Sequence, residues 1–89
     1  MKTSLIAEVR ARIWGTANVW CPGPGRLEIG PVECTVTLRI DGGESGYHLV
    51  QAPDGFFTTD SWHESLEGAI KEASELYRIK LEDWGRGQT

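Results

Sequence analysis

Cys21, Cys34, His48 and His63 together have the donor atoms of a two-cysteine, two-histidine zinc site. Such a site needs its ligands in close pairs, C-x2-4-C or H-x3-5-H, so that two short turns can present four lone pairs to one ion. No pair in this chain has that spacing. Strand alternation also sends Cys34 and His48 to opposite faces, so no metal site is expected. Asp60, Ser61 and His63 carry the side chains of a nucleophile, a base and an orienting acid. Neighbours in a chain reversal do not converge on one point, however, and no G-x-S-x-G frames the serine. His63 is expected in solvent at the start of a helix. The glycines of PGPGRLEIG and DGGESG match neither phosphate-binding pattern and read as turns between strands. The paired carboxylates fall on the exterior of a helix, where solvation accounts for them. The residues therefore point to a protein that is not an enzyme and holds no cofactor.

The element that must position everything else is a terminal helix. Leu66, Ala69, Ile70, Ala73, Leu76 and Tyr77 recur at i, i+3, i+4, i+7, i+10 and i+11, one apolar stripe of an amphipathic helix. Ser61 with Glu64 spells one capping box, but Ser65 directly precedes the stripe and is the better N-cap. Trp62 then belongs to the end of a strand. After Tyr77, Ile79, Leu81 and Trp84 read as a short return that seals the helix end, and residues 85–89 as a fraying tail.

Residues 4–14 alternate strictly: Leu5, Ala7, Val9, Ala11 and Ile13 on one face, Ile6, Glu8, Arg10, Arg12 and Trp14 on the other. Residues 15–26 form an irregular connection that contains Trp20 and alternating Pro and Gly. Residues 27–40 make a second strand region whose phase changes at Gly30-Pro31, from Leu27 and Ile29 to Val32, Cys34, Val36, Leu38 and Ile40. Asp41-Gly42-Gly43 signals a hairpin, with a loop of either Asp41-Gly42 or residues 41–44. Both loops bring Tyr47 and Leu49 beside the even-numbered set. The segment from Ala52 to Phe56 is a second turn, with Gly55 in the left-handed position. Pairing Ala52 with Phe56 sets Gln51 opposite Phe57 and Leu49 opposite Thr59. The chain thus reads as a single α+β domain over residues 1–89: a four-stranded antiparallel β-meander with one C-terminal α-helix packed on one face.

A lone helix covers only one side of that sheet. The same parity places Ile6, Trp14, His48, Val50, Phe56 and Trp62 on the other, where Val50, Phe56 and Trp62 would form an apolar cluster. Exposed apolar patches mark partner surfaces. Trp20, on its loop, is either a second interface anchor or tucks into one end of the core. The helix exterior adds Glu64, Glu67, Glu72 and Glu75, an acidic flank suited to steering a basic partner.

Composition agrees with a binding role and narrows the partner. At 89 residues, a net charge of −4 and pI near 5.0, the chain lacks the basic surface that nucleic acid or an anionic membrane would require. No stretch is long and apolar enough to span a bilayer, and Glu8, Arg10 and Arg12 interrupt any signal-peptide core near the start. The two cysteines are too few for a disulfide framework. A cytoplasmic setting is expected.

Residues 47–84 carry a further pattern: a hairpin with a polar turn, then Trp62, His63, Ser65, Leu66, Glu67 and Ala69 as W-H-x-S-L-E-x-A, then Glu82, Asp83 and Trp84 closing the tail. This resembles small bacterial proteins, some of them similar to immunity proteins that neutralise a toxin by binding it. Gly68 departs from the pattern where a helix former is usual, and Leu81 where proline is common. The resemblance implies a protein partner occluded by binding and supplies no functional residue. The alternative reading is a self-associating module, a homodimer joined through the open sheet face or an edge strand.

Overall fold

The computed structural model describes residues 3–23 and 30–86 of the chain. The long alternating stretch forms β1 (Thr3–Gly15), followed by a two-residue strand β2 (Trp20–Cys21), then β3 (Val32–Gly43), β4 (Gly46–Pro53) and β5 (Thr59–His63). The helix α1 (Leu66–Tyr77) follows, then a single 3₁₀ turn (Leu81–Asp83) and a last short strand β6 (Gly85–Arg86). The protein is α+β, with one antiparallel, curled sheet and one α-helix among the described residues.

The expected meander is the central run β1-β3-β4-β5, but the sheet is larger than four strands. β2 pairs Trp14 and Gly15 at one end of β1, and β6 pairs Leu5 and Ile6 at the other. The connection after Gly15 is therefore a small hairpin first. Thr16 N–H donates to the Val19 carbonyl at 2.7 Å, and the Thr16 hydroxyl accepts from Val19 N–H at 3.2 Å, which closes a four-residue loop locally. Gly85 and Arg86, read as part of a fraying tail, are tied into the sheet edge; residues 87–89 lie outside the described residues, as do Leu27 and Ile29.

Register differs from the expected pairing by an even number of residues in both hairpins. β3 continues through Gly42 and Gly43, so the turn is Glu44-Ser45 and Ile40 faces Leu49. In the next hairpin Leu49 faces Ser61 and Gln51 faces Thr59, rather than Thr59 and Phe57. Even-numbered slips leave every side chain on its expected face. They change which residues occupy the turns. Residues 54–58 form a loop, fastened by Asp54 N–H to the Thr35 carbonyl at 2.9 Å and Phe56 N–H to the Pro53 carbonyl at 3.1 Å. Inside a loop the strand alternation no longer applies. Phe56, expected on the open face, packs against the core, and Phe57, expected inside, is 64% exposed.

The core lies between the inner sheet face and α1. Ile13, Val36, Leu38, Ile40 and Leu49 are fully buried in one cluster with Ala69, Ala73 and Tyr77 of the helix. Two alanines on the helix let it approach β3 and β4 closely. Ser65 caps the helix as expected, in an extended conformation with its hydroxyl accepting from Gly68 N–H at 3.1 Å. The chain leaves at Arg78 in the left-handed conformation, its N–H donating to the Ser74 carbonyl at 2.7 Å. Ile79 is buried and Trp84 packs on the core, closing the helix end; Leu81, assigned to the same return, is instead 71% exposed on the 3₁₀ turn.

Candidate functional site

Ser61 and His63 are two apart on β5, so both face inward toward α1. There they meet Glu72. The Ser61 hydroxyl donates to Glu72 Oε1 at 2.6 Å, His63 Nε2 lies 2.8 Å from the same oxygen, and Ser61 Oγ and His63 Nε2 are 3.1 Å apart. The serine hydrogen bond above all, with help from His63, holds the Glu72 carboxyl below its ordinary pKa against the cost of burial. Sequence reasoning placed His63 in solvent and Glu72 on the exposed flank; the structure turns both inward, with side chains 18% and 35% exposed.

The trio contains a serine, a histidine and an acid, yet its wiring is not that of an activated nucleophile. A relay uses both imidazole nitrogens, one toward the hydroxyl and the other toward the acid. Here one nitrogen faces both partners, and the serine proton is directed to the carboxylate. What the arrangement does is bolt β5 to α1. Asp60, the acid that sequence proximity offered, is on the opposite face, 3.2 Å from His48 Nδ1.

The other candidate ligands are dispersed. Cys34 is buried, its thiol pKa raised by burial and then by the charge of Asp54, while half-buried Cys21 donates to the Gly23 carbonyl at 3.1 Å. No group of three or more His, Cys, Asp or Glu among the described residues is placed to hold a metal ion.

The proposed partner-binding residues divide into three places. Glu64, Glu67 and Glu75 are exposed on or beside the helix, without Glu72. Trp62 is 56% exposed on the open sheet face, where its indole lies directly over Gly46. Gly46 has a φ of 116°, and any Cβ there would penetrate that ring, so the hairpin residue and the tryptophan fit only as a pair. Trp20 and Phe56 meet at the other end of the molecule, ring centroids 6.2 Å apart and planes inclined by 57°. The expected cluster of Val50, Phe56 and Trp62 is thus not formed: Val50 is half-buried and Phe56 belongs to the inner layer. The open face instead interleaves charged pairs, Arg39 with Asp41 at 2.8 Å and Arg10 with Glu33 at 3.7 Å.

A different apolar surface appears around Trp20. The β1–β2 hairpin docks on the loop before β5: the Trp20 indole N–H donates to the Phe57 carbonyl at 2.8 Å, and Phe57 N–H donates to the Ala17 carbonyl at 2.9 Å. Beside this junction lies an open cleft of about 530 Å³, walled by Val19, Trp20, Phe57 and Leu76 with Gln51 and Thr59 among its polar members. Val19 is 60%, Phe57 64% and Leu76 38% exposed. Gln51 is buried, its side-chain carbonyl accepting from the Tyr77 hydroxyl at 2.5 Å. Desolvation chiefly raises the Tyr77 pKa, so the phenol remains a donor. No charged side chain among the described residues lines the cleft. Sequence reasoning found Trp20 but missed Val19, Phe57 and Leu76: the first lies in an irregular loop, and the others read as core by periodicity.

No family model matches the chain, and comparison with curated proteins and with solved structures gives no match. No helix among the described residues is long and apolar enough to cross a membrane.

Proposed function

We propose that this protein is a non-catalytic, cytoplasmic protein-binding domain that engages its partner at the Trp20 end, in the manner of an immunity-type inhibitor acting by occlusion. The observation that carries this reading is the group of exposed apolar side chains, Val19, Phe57 and Leu76, gathered around one cleft. Apolar side chains brought together from three separate segments lose little by being exposed singly, but as a group they gain by being covered. Glu67 and Glu75, on the same helix as Leu76, and Glu64 just before it supply an acidic flank, which favours encounter with a basic protein. The partner is a protein and not nucleic acid or membrane, in keeping with the net charge of −4.

A photo-crosslinking residue in place of Phe57, introduced in the native host, tests the assignment. One dominant adduct, lost on Leu76→Asp in a chain that retains its circular dichroism, is the expected result. Absence of any adduct overturns it. A second reading, self-association, is favoured by the unpaired edge of β5 and the exposed Trp62. Sedimentation across a dilution series separates the two, because only the homodimer changes mass with its own concentration.

A further inference from the structure

The cleft and the free edge of β5 meet at Thr59, and together they define what can bind. On the inner face a single cross-strand row runs Ala7, Leu38, Gln51, Thr59. The next position in that row, one strand further out, lies beyond Thr59, and Thr59 and Thr58 both line the cleft. A side chain carried there by an added strand would enter between Trp20 and Leu76. The edge is available for it. β5 ends the strand order, and no other strand among the described residues pairs its outer side. It carries neither lysine nor proline, and its one acidic side chain, Asp60, is paired with His48 on the open face.

Two further observations specify the occupant. At Phe57, just before β5, the chain already fills this edge itself: both the N–H and the carbonyl of Phe57 are taken by the 16–22 segment, through Ala17 and Trp20. Pairing from outside therefore begins at Thr59 and runs the five residues of β5, roughly 17 Å of extended chain. Second, Gln51 is 7% exposed and lines the cleft, and with its oxygen held by Tyr77 its amide NH₂ has no partner among the described residues. A donor at the wall of an open cleft is served by water until a ligand's acceptor takes that place, and its fixed position then sets where the acceptor must lie. Among the described residues the lining carries no charge, which favours a neutral ligand.

We propose that the protein binds an uncharged, extended peptide segment that adds to the outer edge of β5 as a further strand, seats one apolar side chain between Trp20 and Leu76, and presents a carbonyl oxygen to the Gln51 amide. This rests on the protein-binding reading above and names the form its partner takes: main-chain pairing supplies affinity, and the cleft supplies choice of side chain.

The test is a titration of the ¹⁵N-labelled full chain with a blocked, uncharged pentapeptide of alternating threonine and leucine, followed by amide and indole shifts. Saturable shifts at the Trp20 indole N–H, the Gln51 side-chain NH₂ and the amides of β5 are expected. Gln51→Glu, which keeps an acceptor for Tyr77 but removes the donor, should weaken binding at least tenfold. N-methylation of alternate peptide nitrogens should do the same. No shift at millimolar peptide overturns the proposal, and so does binding indifferent to N-methylation, which would make the cleft a small-molecule pocket. Shifts of the β5 amides on concentrating the protein alone would also overturn it, in favour of a second copy on the edge. If the titration is silent while the crosslink at position 57 persists, strand addition fails and the protein-binding reading stands; loss of both removes the latter as well.

Discussion

The two ends of the inner layer are built from the same kinds of residue and treat them in opposite ways. Under α1, Val36, Leu38, Ile40 and Leu49 are all at 0% exposure, covered by buried Ala69, Ala73 and Tyr77 with half-buried Leu66 and Ile70 beside them. At the Trp20 end, Val19 and Phe57 are more than half exposed although nothing in their chemistry requires it. The difference lies in what each end is made from. A regular helix on a regular sheet fills space by periodicity, whereas the far end is two loops clipped together by hydrogen bonds, which fix backbone position without enclosing side chains. One end stores stability; the other offers surface.

That contrast can be broken by mutation. The largest effect is expected at the sealed end: Leu49→Ala should cost about 3 kcal/mol in urea unfolding, because close packing from both layers leaves a cavity that cannot collapse. Gly46→Ala should cost about 2 kcal/mol, from a side chain forced to positive φ and from displacement of the Trp62 indole. Adding Trp62→Ala to Gly46→Ala should recover the steric part alone. Ser65→Ala, which leaves Gly68 N–H without its cap, should cost about 1 kcal/mol. Smaller again is the acid limb of Glu72. Its folded pKa is depressed, so its contribution is complete above the ordinary glutamate range and disappears as pH falls through that range and then through the lower folded value. Urea midpoints measured from pH 7 to pH 3 should fall less steeply for Glu72→Gln than for wild type. Smallest is the open end: Val19→Ala and Phe57→Ala should each change stability by less than about 0.5 kcal/mol. A loss above 2 kcal/mol at either would show that the surface is structural and sink the contrast.

How much of this was readable beforehand follows the same division. The helix, its cap at Ser65 and the inner set of the sheet were legible, because each depends on a local period or a local hydrogen bond. Parity survived even where register did not. Gly42 and Gly43 look like turn residues, yet they pair as strand, because the close approach of Tyr47 and Gly46 over Gly42 leaves no room for a side chain there. Strand alternation predicts the wrong sides for Phe56 and Phe57, because the local turn at Pro53 opens into a loop fastened to the Thr35 carbonyl, a bond between segments far apart in sequence. Glu72 belongs to the polar side of the helix by spacing alone; only the position of β5 shows that Ser61 and His63 reach it. The cleft was the least legible feature, because its walls come from segments that approach one another only after folding.

The two hydrogen bonds that clip Trp20 and Ala17 to Phe57 have a kinetic corollary. A wall anchored on both sides of its aromatic ring has already surrendered its freedom before any visitor arrives, so association should need no loop closure and should proceed as a single, concentration-linear step.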